Sequence, residues 1–290
     1  MSAPGSPAPG VNGLVVIDKG AGWTSHDVVA RCRRIFGQRR VGHAGTLDPD
    51  ATGVLLVGLG RVTRLLRFVS ALPKSYTTAI VLGTATSTLD ASGEVVGTYD
   101  MAHVSPAQVA AAAADLTGEI EQVPPMVSAI RVGGRRLHEL AREGVEVERA
   151  ARPVIVYRFD VSAAVDDGVF PITVTCSSGT YVRALAADLG QLLGGGAHLR
   201  RLRRVAVGSF TEADARPFEA LELLPPAAAL RDYASVAVDT ATAARVAHGA
   251  VLNRFDGDGP WAVLDAGGSL LAVYEADGDR ARPAVVLNGG

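Results

Sequence analysis

Val41-Gly42-His43-Ala44-Gly45-Thr46-Leu47-Asp48-Pro49-Asp50-Ala51-Thr52-Gly53 is punctuated by glycine and carries an imidazole at His43 and a carboxylate at Asp48. Gly42, Gly45 and Gly53 permit positive φ or close backbone approach, and Pro49 fixes its own φ while biasing Asp48 away from the helical region. The stretch reads as a rigid loop in which Asp48 has a defined direction. Val54-Leu55-Leu56-Val57 follows at once and reads as a buried strand that ties the loop to the core. The same spacing equally suits an Asp48 that caps a short turn beginning at Pro49.

Upstream of this loop, the apolar run at residues 14–17 predicts a strand that ends in Asp18-Lys19 and enters a turn at Gly20-Ala21-Gly22. Ser25 is placed to cap a helix through Phe36, with Val28, Val29, Cys32, Ile35 and Phe36 on one face and Arg31 and Arg34 toward the other. Downstream, residues 76–82 alternate as a strand, and a threonine-rich loop runs from Gly83 to Asp90. Ser105-Pro106 opens a helix to Ala114 that Gly118 stops. Residues 127–132, the Gly133-Gly134 turn and a helix over 135–143 form a strand-turn-helix unit, followed by strands over 154–161 and 169–177. A helix then runs from Gly179-Thr180-Tyr181-Val182-Arg183 toward Gly194. Arg183 stands in its first turn, where the helix dipole disfavours a cation, so a fixed anionic partner is expected.

From about residue 211 the chain turns acidic and alanine-rich, with Pro217, Pro225 and Pro226 marking a linker. Residues 246–252 and a hairpin over 261–274, turned at Gly267-Gly268, indicate a small β-rich end. Hairpins outnumber regular βαβ units, which predicts an α+β fold: a mainly antiparallel mixed sheet flanked by helices, with a small β-rich C-terminal module. The expected division is a disordered lead at 1–10, a main domain at 11–210, a linker at 211–235 and the β-rich domain at 236–290.

The chain has 290 residues and a formal net charge of -2, unevenly distributed. Residues 1–204 hold 22 Lys and Arg against 18 Asp and Glu, whereas residues 205–290 hold 6 against 12. The basic residues cluster as Arg31, Arg33, Arg34, Arg39 and Arg40 before the loop, Arg61, Arg64 and Arg67 after it, and Arg200, Arg201, Arg203 and Arg204 later. Only Lys19 and Lys74 are lysines. Arginine's planar fork suits phosphate and base-plane contacts, which points to a nucleic-acid partner. Cys32 and Cys176 lack metal-ligand spacing and read as buried thiols in a reducing compartment. No run approaches a membrane span, and residues 1–10 lack the pattern of a signal peptide, so a cytoplasmic protein is expected.

GHAGTLDPDATGVLLVG, with VVIDKGAGWTSHDVV before it and KSYTTAIVLGTATSTLDASGE after it, resembles the TruB family of tRNA pseudouridine synthases. PPMVSAIRVGGRRLHELAREG and SSGTYVRALAADLGQLLGGGAHLRRLRR are similar to later motifs of that family, in the same order, so the resemblance runs from about residue 14 to 210. It implies a pseudouridine synthase fold with a degenerate PUA-like end. It also implies isomerisation of the uridine at position 55 in the tRNA T-loop, by base flipping and aspartate nucleophilic catalysis. The catalytic residues it implies are Asp48, Arg183 paired with it, and Tyr76 stacked on the target base. His43 would support the flipped uridine, Tyr181 and Leu202 would border the pocket, and Lys19 and Arg40 would join the substrate-binding side. No metal, redox cofactor, guide RNA or obligate protein partner is expected, and no membrane; the tRNA T-arm is the partner and the chain acts as a monomer. The family usually has proline in place of Gly20, threonine in place of Ala44 and methionine in place of Asp50, so the turn and the loop's outer contacts differ here.

Two other classes suit parts of the pattern. A non-catalytic RNA-binding or RNA-folding protein would use the same arginines. A phosphate-binding metabolic enzyme fits the glycine content but lacks GxGxxG and GxxxxGK[ST] in context. Phosphate contact by arginine makes a measurable demand: affinity for a T-arm RNA, followed by fluorescence anisotropy, is expected to fall steeply between low and physiological salt.

Overall fold

The computed structural model describes residues 10–287 except 129, 130, 133, 138, 139, 141, 142 and 146. The lead expected at 1–10 therefore lies outside the described residues except for Gly10, as does much of the helix expected over 135–143. In chain order the elements begin with β1 (Gly13–Lys19), α1 (Ser25–Ile35), β2 (Val41–Ala44), β3 (Thr52–Leu59), α2 (Leu66–Ala71) and β4 (Lys74–Leu82). The hairpin strands β5 (Thr84–Thr86) and β6 (Val95–Thr98) precede α3 (Pro106–Asp115), β7 (Gly118–Gln122), and the short strands β8 (Arg131–Val132) and β9 (Arg135–Arg136). Next come β10 (Arg152–Val161), β11 (Val169–Cys176), α4 (Val182–Leu192), β12 (Ala197–Val207) and β13 (Phe210–Thr211). The chain closes with β14 (Ala234–Ala237), α5 (Thr240–Ala247), β15 (Leu252–Asn253), β16 (Trp261–Leu264), β17 (Leu270–Asp277) and β18 (Arg280–Val286).

These elements gather into two compact units. The first takes the chain up to Pro49, then Gly53–Leu72, and everything from Val207 on. Its centre is β3, antiparallel both to β1, from Gly13↔Leu59 to Lys19↔Gly53, and to β2, from Val41↔Leu59 to Ala44↔Leu56. Paired along both edges, β3 also has both faces covered, since successive side chains from Val54 to Val57 are all fully buried. Leu14, Val16, Val54 and Leu56 share one core with Val62, Leu65, Phe68 and Val69, and with Leu270, Val273, Val285 and Leu287 of the C-terminal sheet. That sheet has the order β14-β16-β17-β18-β15, with β14 parallel to β16 and the other pairs antiparallel. It is the expected β-rich end, and its hairpin turns where expected. A second cluster on it surrounds Trp261 and Tyr274, whose polar atoms donate to Asp256 O at 2.7 Å and Ala250 O at 2.8 Å. Val246 and Ala247, expected in a strand, close α5 instead, and Val246 is buried in this cluster.

Two further local expectations are corrected in this unit. Thr24, not Ser25, caps α1: its hydroxyl accepts from Asp27 N at 3.1 Å, and the Asp27 carboxylate accepts from Thr24 N at 2.9 Å. This is a closed capping box, which a cap at Ser25 could not form with Asp27. Residues 41–44, read as part of a loop, form β2. Gly42 serves close packing there, because a Cβ would stand 3.1 Å from Leu66 Cδ1.

The second unit holds residues 50–52 and 73–206. Its sheet runs β12-β4-β11-β10-β7, antiparallel at β4–β11, β11–β10 and β10–β7. β4 alternates as expected, with Lys74, Tyr76, Thr78, Ile80 and Leu82 turned inward. Part of the loop expected over 83–90 is strand, since Thr84 and Ala85 pair with Thr98 and Gly97. α3 has the expected cap at Ser105 with Pro106 at its first position. The chain is thus an α+β fold with mainly antiparallel sheets. No helix among the described residues is long and apolar enough to cross a membrane.

α4 passes so close to the chain entering β12 that a Cβ on Gly190 would stand 2.5 Å from Ala197 N and 2.7 Å from Gly196 C, both backbone atoms. Gly190→Ala is expected to lower stability by about 1–3 kcal/mol despite the gain in helix propensity, measured by denaturant unfolding.

Candidate active site

Asp48 is half-buried, and the residues on both sides of it are tied down. Before it, Leu47 is 4% exposed. The Ser25 hydroxyl accepts from Leu47 N at 2.9 Å and donates to Leu47 O at 3.3 Å. After it, Pro49 O accepts from Lys19 Nζ at 2.9 Å and from Gly22 N at 3.0 Å. The fully buried Lys19 also donates to Gly20 O at 3.0 Å and Trp23 O at 2.6 Å. An ammonium has three protons, and three carbonyls take them. Lys19, expected on the substrate-binding side, thus also ties the backbone beneath the loop. Ser25 likewise holds the loop and not the helix end.

His43 sits on β2 opposite Val57, and its ring meets the ring of His26 edge-on with centroids 5.5 Å apart. His26, in the first turn of α1, was not singled out in the sequence. Arg40 is exposed, with Nε donating to Thr63 Oγ1 at 3.0 Å. Asp50 is exposed.

Several arginines expected to bind phosphate are engaged inside this unit. Arg31 pairs with Glu219 at 3.1 Å and lies 4.3 Å over the Phe218 ring. Arg33 donates to Arg39 O and Val41 O. Arg61 donates to Leu287 O and Arg64 to Val286 O, both at 2.6 Å, while Arg67 meets Glu275 at 3.0 Å. The run after the loop thus ties residues 61–67 to the C-terminal strands.

In the second unit Arg183 is 4% exposed at the start of α4. Its Nη1 donates to Thr88 O at 2.7 Å and its Nη2 to Val127 O at 2.8 Å, while Nε lies 3.6 Å from Asp90 Oδ2. Asp90 is held in turn: its Oδ1 accepts from Thr88 Oγ1 at 2.6 Å, Ser92 Oγ at 2.6 Å and Ser92 N at 3.0 Å. Between Thr88 and Asp90, Leu89 adopts φ +62°, a left-handed conformation that costs a leucine about 1–2 kcal/mol. Asp90 thus stands beside Arg183, in a stretch expected to be loop; the serine two positions on is the local signal of its turn.

Tyr76 lies on β4 opposite Val174, 9% exposed, on the same inward face as Lys74. Burial first, and the Arg204 charge second, bring the Lys74 pKa down to about 8. Leu202 is half-buried on β12, and Tyr181 is the residue from which α4 begins. Burial pushes the thiols of Cys32 and Cys176 up to about 11, so both stay protonated at neutral pH.

Replacing Lys19 by methionine takes a charged donor from three carbonyls, of which Pro49 O keeps the Gly22 amide. Lys19→Met is expected to lose about 2–3 kcal/mol of stability in denaturant unfolding, hydrogen bonds to a charged group being the larger ones.

Residues 33–182 match the family described as TruB family pseudouridylate synthase (N terminal domain). Residues 183–230 match the tRNA pseudouridylate synthase B C-terminal domain, and residues 233–288 match tRNA Pseudouridine synthase II, C terminal. The chain is 48% identical over 295 residues to the tRNA pseudouridine synthase B of Nocardia farcinica, covering 99% of this chain and 96% of that one. It is 47% identical over 287 residues to that of Mycobacterium tuberculosis H37Rv, covering 95% of each. Among solved structures, a chain of a Cbf5-Nop10-Gar1 complex shares the fold at TM-score 0.75 and 24% identity, over 96% of this chain and 85% of that one. With these matches spanning the loop of Asp48, the cradle of Arg183 and the C-terminal sheet, the chain belongs to the TruB family of pseudouridylate synthases.

Proposed function

We propose that this protein isomerises uridine to pseudouridine at position 55 in the T-loop of tRNA. The reaction breaks the N1–C1′ glycosidic bond, turns the base and forms a C5–C1′ bond; C5 gives up a proton and N1 gains one. The net change is an isomerisation, so it consumes no oxidant or reductant. A uridine stacked within the T-loop is out of reach, and the enzyme flips it into the site against an aromatic face.

The observation that carries this reading is the Asp48 carboxylate, on a loop whose backbone is fixed immediately before and after it. Such a carboxylate is preorganised for covalent attack, at the base or at the sugar, which divides one hard rearrangement into easier steps. Arg183 keeps that carboxylate ionised and oriented. Tyr76 stacks on the base and helps remove the C5 proton, and His43 supports the flipped RNA. Tyr181 and Leu202 border the pocket, and Arg40 contacts the RNA backbone. The protein acts in the cytoplasm as a monomer on the T-arm, without a guide RNA or obligate protein partner.

Tritium release from a C5-labelled T-stem-loop, with wild type and Asp48→Asn side by side, tests the assignment. The variant is expected to lose turnover by at least about a thousandfold, the scale on which removal of a nucleophile acts. Its RNA affinity by filter binding stays within about twofold, because the contacts that dock the T-arm are untouched. Equal loss of both, or no release by wild type, would overturn the reading.

A further inference from the structure

Gln122 closes β7 far from the loop of Asp48 in sequence, and its side chain is 2% exposed. Its Oε1 accepts from Tyr181 N at 2.8 Å, and its Nε2 donates to Tyr181 O at 3.2 Å. One amide thus grips the donor and the acceptor of a single residue 59 positions away. Its orientation is fixed by chemistry, since only the oxygen can receive a backbone N–H.

The gripped residue is where α4 starts. Tyr181 has no side-chain cap, and its carbonyl accepts the first helical bonds from Ala184 N at 3.0 Å and Leu185 N at 3.2 Å. A tyrosine cannot do what Ser, Thr, Asp or Asn does at that position, so the helix end depends on an anchor from elsewhere. Arg183 is two residues on, and Gln122's own segment meets it again, through Val127 O. The intervening Pro124-Pro125 stiffens that segment, and Pro124 O is itself held by Arg149 Nη1 at 3.0 Å.

We infer that Gln122 is a positioning residue of the proposed isomerase: its amide fixes the backbone of Tyr181 and thereby sets where the Arg183 guanidinium stands. The inference rests on the function proposed above. A displacement of about 1 Å at such a group is enough to slow chemistry by about a hundredfold without weakening substrate binding.

Two substitutions test it. Gln122→Met fills the same space and makes neither bond. Its single-turnover rate of pseudouridine formation is expected to fall at least about tenfold, with T-stem-loop affinity within about twofold. Gln122→Glu separates positioning from packing. A neutral acid can accept from Tyr181 N and donate to Tyr181 O, whereas a carboxylate cannot donate. Burial and that demand raise the acid's pKa. The activity of Gln122→Glu relative to wild type should therefore recover as pH falls from 8.5 to 5.5, while the ratio for Gln122→Met stays flat. Hydrogen exchange at the Tyr181 amide, which does not depend on turnover, should quicken in Gln122→Met. A Gln122→Met rate within twofold of wild type, a rate loss matched by equal loss of affinity and melting temperature, a flat ratio for Gln122→Glu, or unchanged exchange each overturns the inference. If wild type itself forms no pseudouridine, the proposed function falls, and exchange at Tyr181 still decides whether the clamp exists.

Discussion

A buried ammonium needs three acceptors, and at Lys19 they are the carbonyls of Gly20, Trp23 and Pro49. Removing such a charge from water costs several kcal/mol, so the chain between residues 19 and 23 is obliged to curl around it. Gly22 makes the curl possible at φ +80°, and its own N–H reaches the same Pro49 carbonyl. Gly20 has open space where a side chain would be, so glycine is not sterically required there, and the ammonium itself holds the turn. Because Lys19 is also opposite Gly53 in the β1–β3 ladder, the place of Pro49 is coupled to strand register. Asp48 inherits that coupling. Its direction follows from a strand pairing and a buried charge, with Ser25 closing the other side.

The cradle of Arg183 obeys the same logic with a different cation. Thr88 O and Val127 O satisfy two of its donors without neutralising it, and Asp90 lies farther off at 3.6 Å. The left-handed Leu89 is the cost of folding Thr88 and Asp90 back toward one side chain. Its carbonyl and the Ala91 amide exchange hydrogen bonds with Leu199 on β12, so the strained residue is clamped from both sides.

Elements whose signals are local were legible. β1, β3 and β4 followed from apolar runs or alternation, α3 from a Ser-Pro start, and the C-terminal hairpin from Gly267-Gly268. The cap of α1 was misplaced by one residue because Thr24 and Ser25 are both good caps; Asp27, three after Thr24, decides between them. What stayed hidden depends on distant partners. That Lys19 would meet Pro49, Arg183 would meet Thr88, and Gln122 would meet Tyr181 is not encoded in any window of the chain. Nor does a linear reading reveal that the C-terminal sheet shares a core with β1 and β3, which precede it by some two hundred residues.

The arginine clusters show most plainly how position along the chain misleads. A phosphate contact needs a cation whose donors face solvent. Arg61 and Arg64 each spend one nitrogen on a carbonyl, of Leu287 and Val286, and Arg31 is stacked and paired beside Phe218. Arg204 is buried at 1% exposure, whereas Arg201, at φ +60° in the same strand, is exposed. Arg33, Arg34, Arg39, Arg40, Arg64, Arg67 and Arg201 are exposed, although Arg33, Arg64 and Arg67 spend some of their donors within the chain. Composition weighs these residues alike, but only the exposed set can release counterions on binding RNA. The salt dependence of affinity therefore reports on that smaller set, while the inner arginines act on stability.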